Sequence, residues 1–294
     1  MLKENNKIIF GIFYMLLASA FIGGTAVVAK ILGKDYFGEP LSPFQISQSR
    51  FLYGFIFVFI FTFLNKIKIE SPNPKLHLVR TSLGWIGATI LFGSSSLIPV
   101  NDAVALNFSN PVFAMIFSII ILKEKYFPYR WIAMIITFAG ALILIRPNFS
   151  NLNVDPVASV SIFGAICLGL EAIFIKLLTK YEKNTQILLI NNFIGLILSS
   201  LIVIFFWQTP TFLQTVLCIL IGFLMICAQI CFLMALRSNQ LNFVIPFFYS
   251  TLIFVLLYDY LIFSELPDLL SFSGSLLIII GGVYLFLKET KKDF

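Results

Sequence analysis

Residues 212–236 have the sequence FLQTVLCILIGFLMICAQICFLMAL, a run of 25 residues that contains no charged side chain. An α-helix rises about 1.5 Å per residue, so a run of this length crosses the hydrocarbon core of a bilayer, which is about 30 Å thick. Similar runs recur along the whole chain. They cover residues 8–32, 44–64, 76–96, 100–122, 129–145, 157–178, 186–206, 212–236, 241–263 and 269–287. The sequence therefore predicts an all-α integral membrane protein with ten transmembrane helices.

The composition excludes several other classes of protein. Of the 294 residues, 59% are hydrophobic and 12% are charged, with a mean hydropathy of +0.98, which is too few charges to cover a soluble domain. The connections are short and contain no phosphate-binding loop of the type GxxxxGK[ST], which argues against ATP-driven pumping. The four cysteines lie within predicted spans, and His77 is the single histidine. We expect no disulfide framework, no metal site and no cofactor.

The basic residues behind the net charge of +6 are distributed as membrane topology requires, and they do not indicate a nucleic-acid partner. If the N-terminus is placed inside, 16 of the 20 basic residues fall on the inner side, Arg80 and Lys176 among them. The basic residues on the outer side are Lys30, Lys34, Arg50 and Arg146. This asymmetry is the positive-inside bias of membrane proteins. Both termini are therefore expected in the cytoplasm, which requires an even number of spans.

The two halves of the chain form a weak internal repeat. At an offset of 141 residues, Glu124 aligns with Glu265, Gly140 with Gly281 and Phe113 with Phe254; near the start of each half, Gly23, Ala26 and Lys30 align with Gly169, Ala172 and Lys176 at an offset of 146. Five spans per half is an odd number, so the second half enters the membrane from the opposite side. The sequence therefore predicts two inverted five-helix repeats, 1–148 and 149–294, around a central site.

The repeat carries a pattern that resembles a known family. The segments NDAVALNFSNPVFAMIFSIIILKEKY (101–126) and FAGALILIRP (138–147) resemble the first half of EamA-type carriers of the drug/metabolite transporter superfamily. The segments VIPFFYSTLIFVLLYDYLIFSELPD (244–268) and GGVYLFLKE (281–289) resemble the second half. The resemblance covers nearly the whole chain. It implies a ten-helix carrier of small organic solutes in the bacterial inner membrane, without catalytic activity.

The resemblance extends to one branch of that superfamily. HLVR (77–80), the NFSNP segment and the ELPD turn are similar to carriers that take up S-adenosylmethionine, and amino-acid exporters are nearly as similar. The expected partners are a small-molecule substrate, the lipid bilayer and a coupling proton or an exchanged solute. A monomer and a homodimer are both compatible with the pattern.

Three charged side chains inside spans are candidates for binding substrate, since such charges are costly in lipid. Lys30 and Arg50 can each hold a carboxylate; alternatively, Lys30 extends to the interface and Arg50 bonds to a headgroup or a helix-end carbonyl. Glu171 can bind a cationic centre or take up a coupling proton. The alternative for Glu171 is a structural ion pair with a lysine of another helix.

Uncharged groups complete the predicted site. Asn107 and Asn110 precede Pro111, and Tyr249 follows Pro246, so each lies where a proline frees a carbonyl group in the helix. Gln229 is a further candidate, and interhelical hydrogen bonding is the alternative for these amides. We expect hinges at Gly23, Gly24, Pro111 and Pro246.

The sequence favours a secondary carrier of a small amphipathic or zwitterionic metabolite, working by alternating access. The alternative within the same superfamily is an exporter of amino acids or of other small metabolites and drugs. A channel would need a continuous polar stripe, and a lipid enzyme would need a catalytic cluster at one interface. The sequence shows neither feature.

Overall fold

The computed structural model describes residues 2–70, 72–95, 97–148, 156–264 and 266–291, and within these ranges all regular secondary structure is helical. The helices are α1 (Leu2–Leu32), α2 (Pro43–Leu64), α3 (Pro74–Ser95), α4 (Val100–Asn107), α5 (Asn110–Ile120), α6 (Pro128–Ile145), α7 (Pro156–Tyr181), α8 (Asn184–Val203), α9 (Phe212–Ser238), α10 (Leu241–Val244), α11 (Ser250–Phe263) and α12 (Leu269–Thr290). A short 3₁₀ segment, Ile245–Tyr249, joins α10 to α11. Together they form ten membrane-length segments, as predicted.

Nine of these segments, within the described part of the chain, are long and apolar enough to cross a membrane. The segment outside that group is α3, which carries Lys75, His77 and Arg80 in its first two turns. It nevertheless packs lengthwise against α7 and α8 inside the bundle. His77 and Arg80 are buried against these neighbours, whereas Lys75 is exposed at the start of the helix, and the prediction of ten spans is confirmed.

The fourth and ninth segments are broken helices. Pro111 has no N–H to donate to the carbonyl of Asn107, and the side-chain amide of Asn110 donates to that carbonyl instead, at 2.9 Å. In the ninth segment, Pro246 lies in the 3₁₀ turn between α10 and α11. Both prolines predicted as hinges therefore lie at interruptions of the helical hydrogen-bond ladder.

Close helix contacts repeat in pairs, as a two-fold arrangement requires. A Cβ atom placed on Gly140 would lie 2.7 Å from the carbonyl oxygen of Gly274, and one on Gly281 would lie 3.2 Å from that of Ala133. Residues 133 and 274 are related by the same offset of 141 as the two glycines. Likewise, Gly23 packs on the Cβ of Phe254, and Gly169 packs on the Cβ of Phe113. The predicted inverted repeat is confirmed by these reciprocal contacts.

Both described chain ends lie at one end of the bundle, which we call the terminal end. Near the start of α1, the carbonyl of Lys7 accepts a hydrogen bond from Asn239 at the end of α9, at 2.7 Å. Near the end of α12, Glu289 forms an ion pair with Arg130 at the start of α6. We call the other end the opposite end. Glu265 lies outside the described residues. So do residues 149–155, where the second repeat is predicted to begin.

One carboxylate ties the loops of the terminal end together. Glu182, between α7 and α8, accepts hydrogen bonds from the backbone N–H of Asn73 at 2.9 Å and from the amide of Gln186 at 2.7 Å, and it pairs with His77 at 2.7 Å. Burial acts to raise the pKa of the Glu182 carboxyl, but these hydrogen bonds together hold that pKa below its usual value. The ionised carboxylate thus links the loop before α3 to the start of α8.

The contact between α6 and α12 gives a direct test of the packing. Substituting Gly140→Ala places a methyl group against the backbone of α12, so we expect a loss of about 1–3 kcal/mol of stability, seen as a lower melting temperature in detergent. Gly24→Ala is the matched control, because a Cβ there would meet its nearest neighbour at an ordinary 3.6 Å. Equal melting temperatures for the two variants would contradict the described packing.

Candidate substrate-binding site

Two charged side chains from different helices pair inside the bundle, and a third lies close enough to interact with them electrostatically. Arg50 comes from α2, Arg80 from α3 and Glu171 from α7. The Nε atom of Arg80 lies 3.7 Å from Oε1 of Glu171, and Arg50 interacts electrostatically with both groups. Gly84 makes this approach possible, because a Cβ at that position would lie 2.5 Å from the carboxyl carbon of Glu171. We call Arg50, Arg80 and Glu171 the charged triad.

The two guanidinium groups of the triad keep unused hydrogen-bond donors. Among the described residues, the Nε atoms of Arg50 and Arg80 and the Nη1 atom of Arg80 are buried and have no acceptor within hydrogen-bonding distance. Arg80 is only 3% exposed, and the guanidinium of Arg50 lies 4.5 Å from the ring centre of Phe51. Buried donors without an acceptor are costly. The triad therefore has the chemistry of a site that accepts an anionic group.

Arg80 corrects one inference from the sequence. The charge count places it with the basic residues of the inner loops, whereas the structure places its side chain inside the bundle beside Glu171. The physical reason is length: Arg80 lies less than two turns from the start of α3, and its long side chain extends from there to α7. The ion pair of Glu171 is thus with an arginine, whereas Lys176 donates to the backbone carbonyls of Leu236 and Asn239.

Side-chain amides link the helices around the triad. Thr81, next to Arg80, donates to the side-chain oxygen of Asn191 at 3.0 Å. Asn192 donates to the side-chain oxygen of Gln229 at 3.3 Å and to the carbonyl of Leu188. Gln229 therefore makes the interhelical contact that the sequence offered as the alternative to substrate binding. Asn191 and Asn192 are both buried.

The groups at the two helix breaks mostly bond to each other. Tyr249 is fully buried, and its hydroxyl donates to the carbonyl of Phe108 at 2.9 Å. Phe108 and Tyr249 are related by the 141-residue offset, so the two breaks meet at the repeat axis. The side-chain amide of Asn110 donates to the backbone carbonyl of Asn107. The Nδ2 atom of Asn107 itself is buried without an acceptor among the described residues. Of these three candidates, Asn107 retains a donor for a ligand.

Lys30 belongs to a different part of the molecule. Its ammonium group pairs with Asp259 of α11 at 2.9 Å and lies 4.5 Å from the ring centre of Phe263. The side chains of Lys30 and Asp259 are 31% and 20% exposed, near the opposite end. The structure does not bring Lys30 into the charged triad.

A cavity of about 550 Å³ opens between α4 and α11 at the opposite end. Its lining includes Asn101, Val104, Leu252, Val255, Leu256 and Asp259. The repeat counterparts of these residues at the terminal end are Asn242, Ile245, Pro111, Ala114, Met115 and Ser118, and all six are buried. The two broken segments are therefore separated at the opposite end and packed together at the terminal end. A second cavity, of about 570 Å³, lies beside the packed segments at the terminal end, and its lining includes Lys125, Phe127 and Arg130.

Comparison with known proteins agrees with this architecture. The model of the EamA-like transporter family matches residues 9–146 and 157–287, one match in each half. One solved protein crystal structure superposes with a TM-score of 0.78 at 15% identity, covering 96% of this chain and 97% of that chain, which shows a shared fold.

Several named proteins are similar over most of their length. An S-adenosylmethionine uptake transporter of Rickettsia bellii is 25% identical over 96% of this chain and 94% of its own length. A riboflavin transporter of Vibrio cholerae is 27% identical over 74% and 73%. The pseudopaline exporter CntI of Pseudomonas aeruginosa is 25% identical over 73% and 75%. With both halves matched by one family model and ten helical segments in two inverted repeats, the chain belongs to the EamA-like transporter family.

Proposed function

We propose that this protein is a secondary carrier that takes up a small zwitterionic metabolite of the S-adenosylmethionine type. The substrate carboxylate binds between Arg50 and Arg80, and its positive centre faces Glu171. Asn107 contributes a donor to the polar body of the substrate. Lys30, Asn110, Gln229 and Tyr249 have structural partners and are not part of this proposed contact set.

The charged triad is the observation that carries the proposal. Two cations and one anion leave an excess positive charge in a low-dielectric bundle, and three guanidinium N–H donors lack acceptors among the described residues. A bound carboxylate supplies those acceptors and balances the charge. The same substrate then places its ammonium or sulfonium group beside the single carboxylate, so both signs of charge are matched.

The comparisons support the choice of substrate class. The relatives that match over nearly the whole chain include S-adenosylmethionine uptake transporters, and that compound carries a carboxylate, an ammonium and a sulfonium group. The pseudopaline exporter supports a second candidate, the export of a small metabolite through the same site with the opposite net flux.

Alternating access is the transport mode that fits an inverted repeat. In this proposal, the cavity between α4 and α11 is the entrance from the opposite end, although the charged triad does not line it. The counterparts of its lining residues on α4 and α11 are buried at the terminal end. With the terminal end in the cytoplasm of a bacterial cell, as the basic loops favour, the described conformation faces outward across the inner membrane. A proton or an exchanged solute supplies the driving force.

Removing one guanidinium group tests the anion contact. We expect Arg80→Gln to raise the KM for S-adenosylmethionine uptake roughly 10- to 100-fold, because it removes charge-assisted hydrogen bonds to the carboxylate. Uptake is measured in vesicles at matched protein levels. Lys183→Gln is the control, since Lys183 forms an exposed ion pair with Glu70. A KM for Arg80→Gln within about twofold of the control value would remove Arg80 from the binding site.

The role of Glu171 is tested with two ligands that differ by one charge. S-adenosylhomocysteine lacks the sulfonium charge of S-adenosylmethionine, so we expect the wild-type protein to prefer S-adenosylmethionine in competition for uptake. The variant Glu171→Gln should lose that preference while still binding both compounds. If the preference persists unchanged in the variant, Glu171 does not face the positive centre. Loss of the pH dependence of uptake alone would instead indicate a coupling role.

A further inference from the structure

At the terminal end, α5 and α10 pack together beside one turn, Ser238–Leu241, which connects α9 to α10 and whose first three residues line the cavity of about 570 Å³. From the end of the fourth segment, Glu124 accepts hydrogen bonds from the backbone N–H groups of Leu241 at 2.7 Å and Asn242 at 2.9 Å. These N–H groups open the helical stretch that continues through the 3₁₀ segment into α11. A carboxylate is stabilising at such a position because helix N-termini carry partial positive charge.

A lysine holds the other side of the same turn. Lys176, near the end of α7, donates to the backbone carbonyls of Leu236 and Asn239 at the C-terminus of α9. A cation is stabilising there because these carbonyls carry the negative end of the helix dipole. Glu124 follows α5 and Lys176 lies in α7, and these two helices pack together. Glu124 bonds to α10 and Lys176 to the end of α9. We call Glu124 and Lys176 the turn clamp.

The inverted repeat places a second lysine at the equivalent point of the opposite end. Lys30 is the counterpart of Lys176, and it pairs with Asp259, which lines the open cavity. The counterpart of Asp259 is Ser118, whose hydroxyl donates to the carbonyl of Met115. Position 118 therefore offers Lys176 no carboxylate, whereas Lys30 has one on the neighbouring α11. The two lysines are thus in different states at the closed end and the open end.

We propose that Lys176 and Lys30 are alternating gate residues, each closing one end by binding the C-terminal carbonyls of a helix across the cavity. In the described conformation, the turn clamp closes the terminal end, and Asp259 holds Lys30 away from its target. When the carrier reverses, Lys176 leaves α9, and Lys30 leaves Asp259 for the carbonyls of residues 95 and 98 at the end of α3, the repeat counterparts of Leu236 and Asn239. This proposal rests on the alternating-access part of the proposed function and not on the substrate.

Cysteine labelling from each side of the membrane tests the proposal. Ser118→Cys reports the terminal end, where Ser118 is fully buried, and Leu256→Cys reports the open cavity. Each reporter is placed in a background in which the four native cysteines are replaced by alanine. With Lys176→Met, we expect labelling of the Ser118 reporter by an impermeant maleimide to rise at least about fivefold, and labelling of the Leu256 reporter to fall. Lys180→Met, one turn away and exposed, is the matched control.

Two further variants should change the labelling of the Ser118 reporter in opposite directions. Asp259→Asn removes the carboxylate paired with Lys30 and so weakens the hold on that lysine, which should also raise labelling of the Ser118 reporter. This variant carries the test if Lys176→Met does not reach the membrane. Lys30→Met removes the second gate and should lower that labelling. Identical labelling rates in Lys176→Met and Lys180→Met, or no change with Asp259→Asn, would overturn the proposal.

The same reporters distinguish a failure of the gate proposal from a failure of alternating access. In the same cysteine-replaced background without a gate substitution, alternating access predicts that the Ser118 reporter is labelled slowly from the terminal end and that the rate changes when transported substrate is added. A reporter that is never labelled under either condition contradicts alternating access itself. Labelling that responds to substrate but not to Lys176→Met contradicts only the gate.

Discussion

The ion pair between Arg80 and Glu171 is the interaction on which the site depends. Neither charge is stable alone in the interior of a membrane bundle, and the separation of 3.7 Å is looser than a hydrogen-bonded pair. Gly84 allows the carboxylate to lie against α3, and Arg50 adds a second cation to the same space. The result is a buried cluster whose charge is only partly balanced by the protein. In the proposed function, a ligand with a carboxylate and a positive centre completes that balance.

The helical frame is symmetric, whereas the chemistry is confined to one set of positions. By the repeat offsets, the counterparts of Arg50, Arg80 and Glu171 are Asn191, Ile221 and Thr25. The reciprocal glycine contacts show that the two halves pack alike, so the frame favours two conformations of similar structure, one open at each end. In the proposed function the triad supplies the specificity, and the groups at the helix breaks, such as Tyr249 with Phe108, join the two halves at the repeat axis.

Much of the frame could be predicted from the sequence, because hydropathy and repeat offsets depend on position along the chain alone. Pro111 and Pro246 also marked the broken segments, although the 3₁₀ turn was not predicted. Side-chain partners depend on how each helix is rotated and on which helix faces it. For this reason the charge count places Arg80 with the loops, and the sequence predicts Lys30, Arg50 and Tyr249 as parts of one substrate site, although the hydroxyl of Tyr249 bonds to Phe108. The sequence does contain a signal for the buried position of Arg80. This basic residue lies nearly two turns inside a predicted span, and Gly84 on the same helix leaves room for a side chain from a neighbouring helix.

The position of the bound ligand is the most direct test of the central claim. Se-adenosylselenomethionine has a selenium atom in place of the sulfonium sulfur, and its anomalous scattering locates the positive centre in a crystal of the complex. We predict selenium beside the carboxylate of Glu171, with the ligand carboxylate at hydrogen-bonding distance, about 2.7–2.9 Å, from the guanidinium groups of Arg50 and Arg80. Selenium located elsewhere, with Arg80 still paired only with Glu171, would contradict the account.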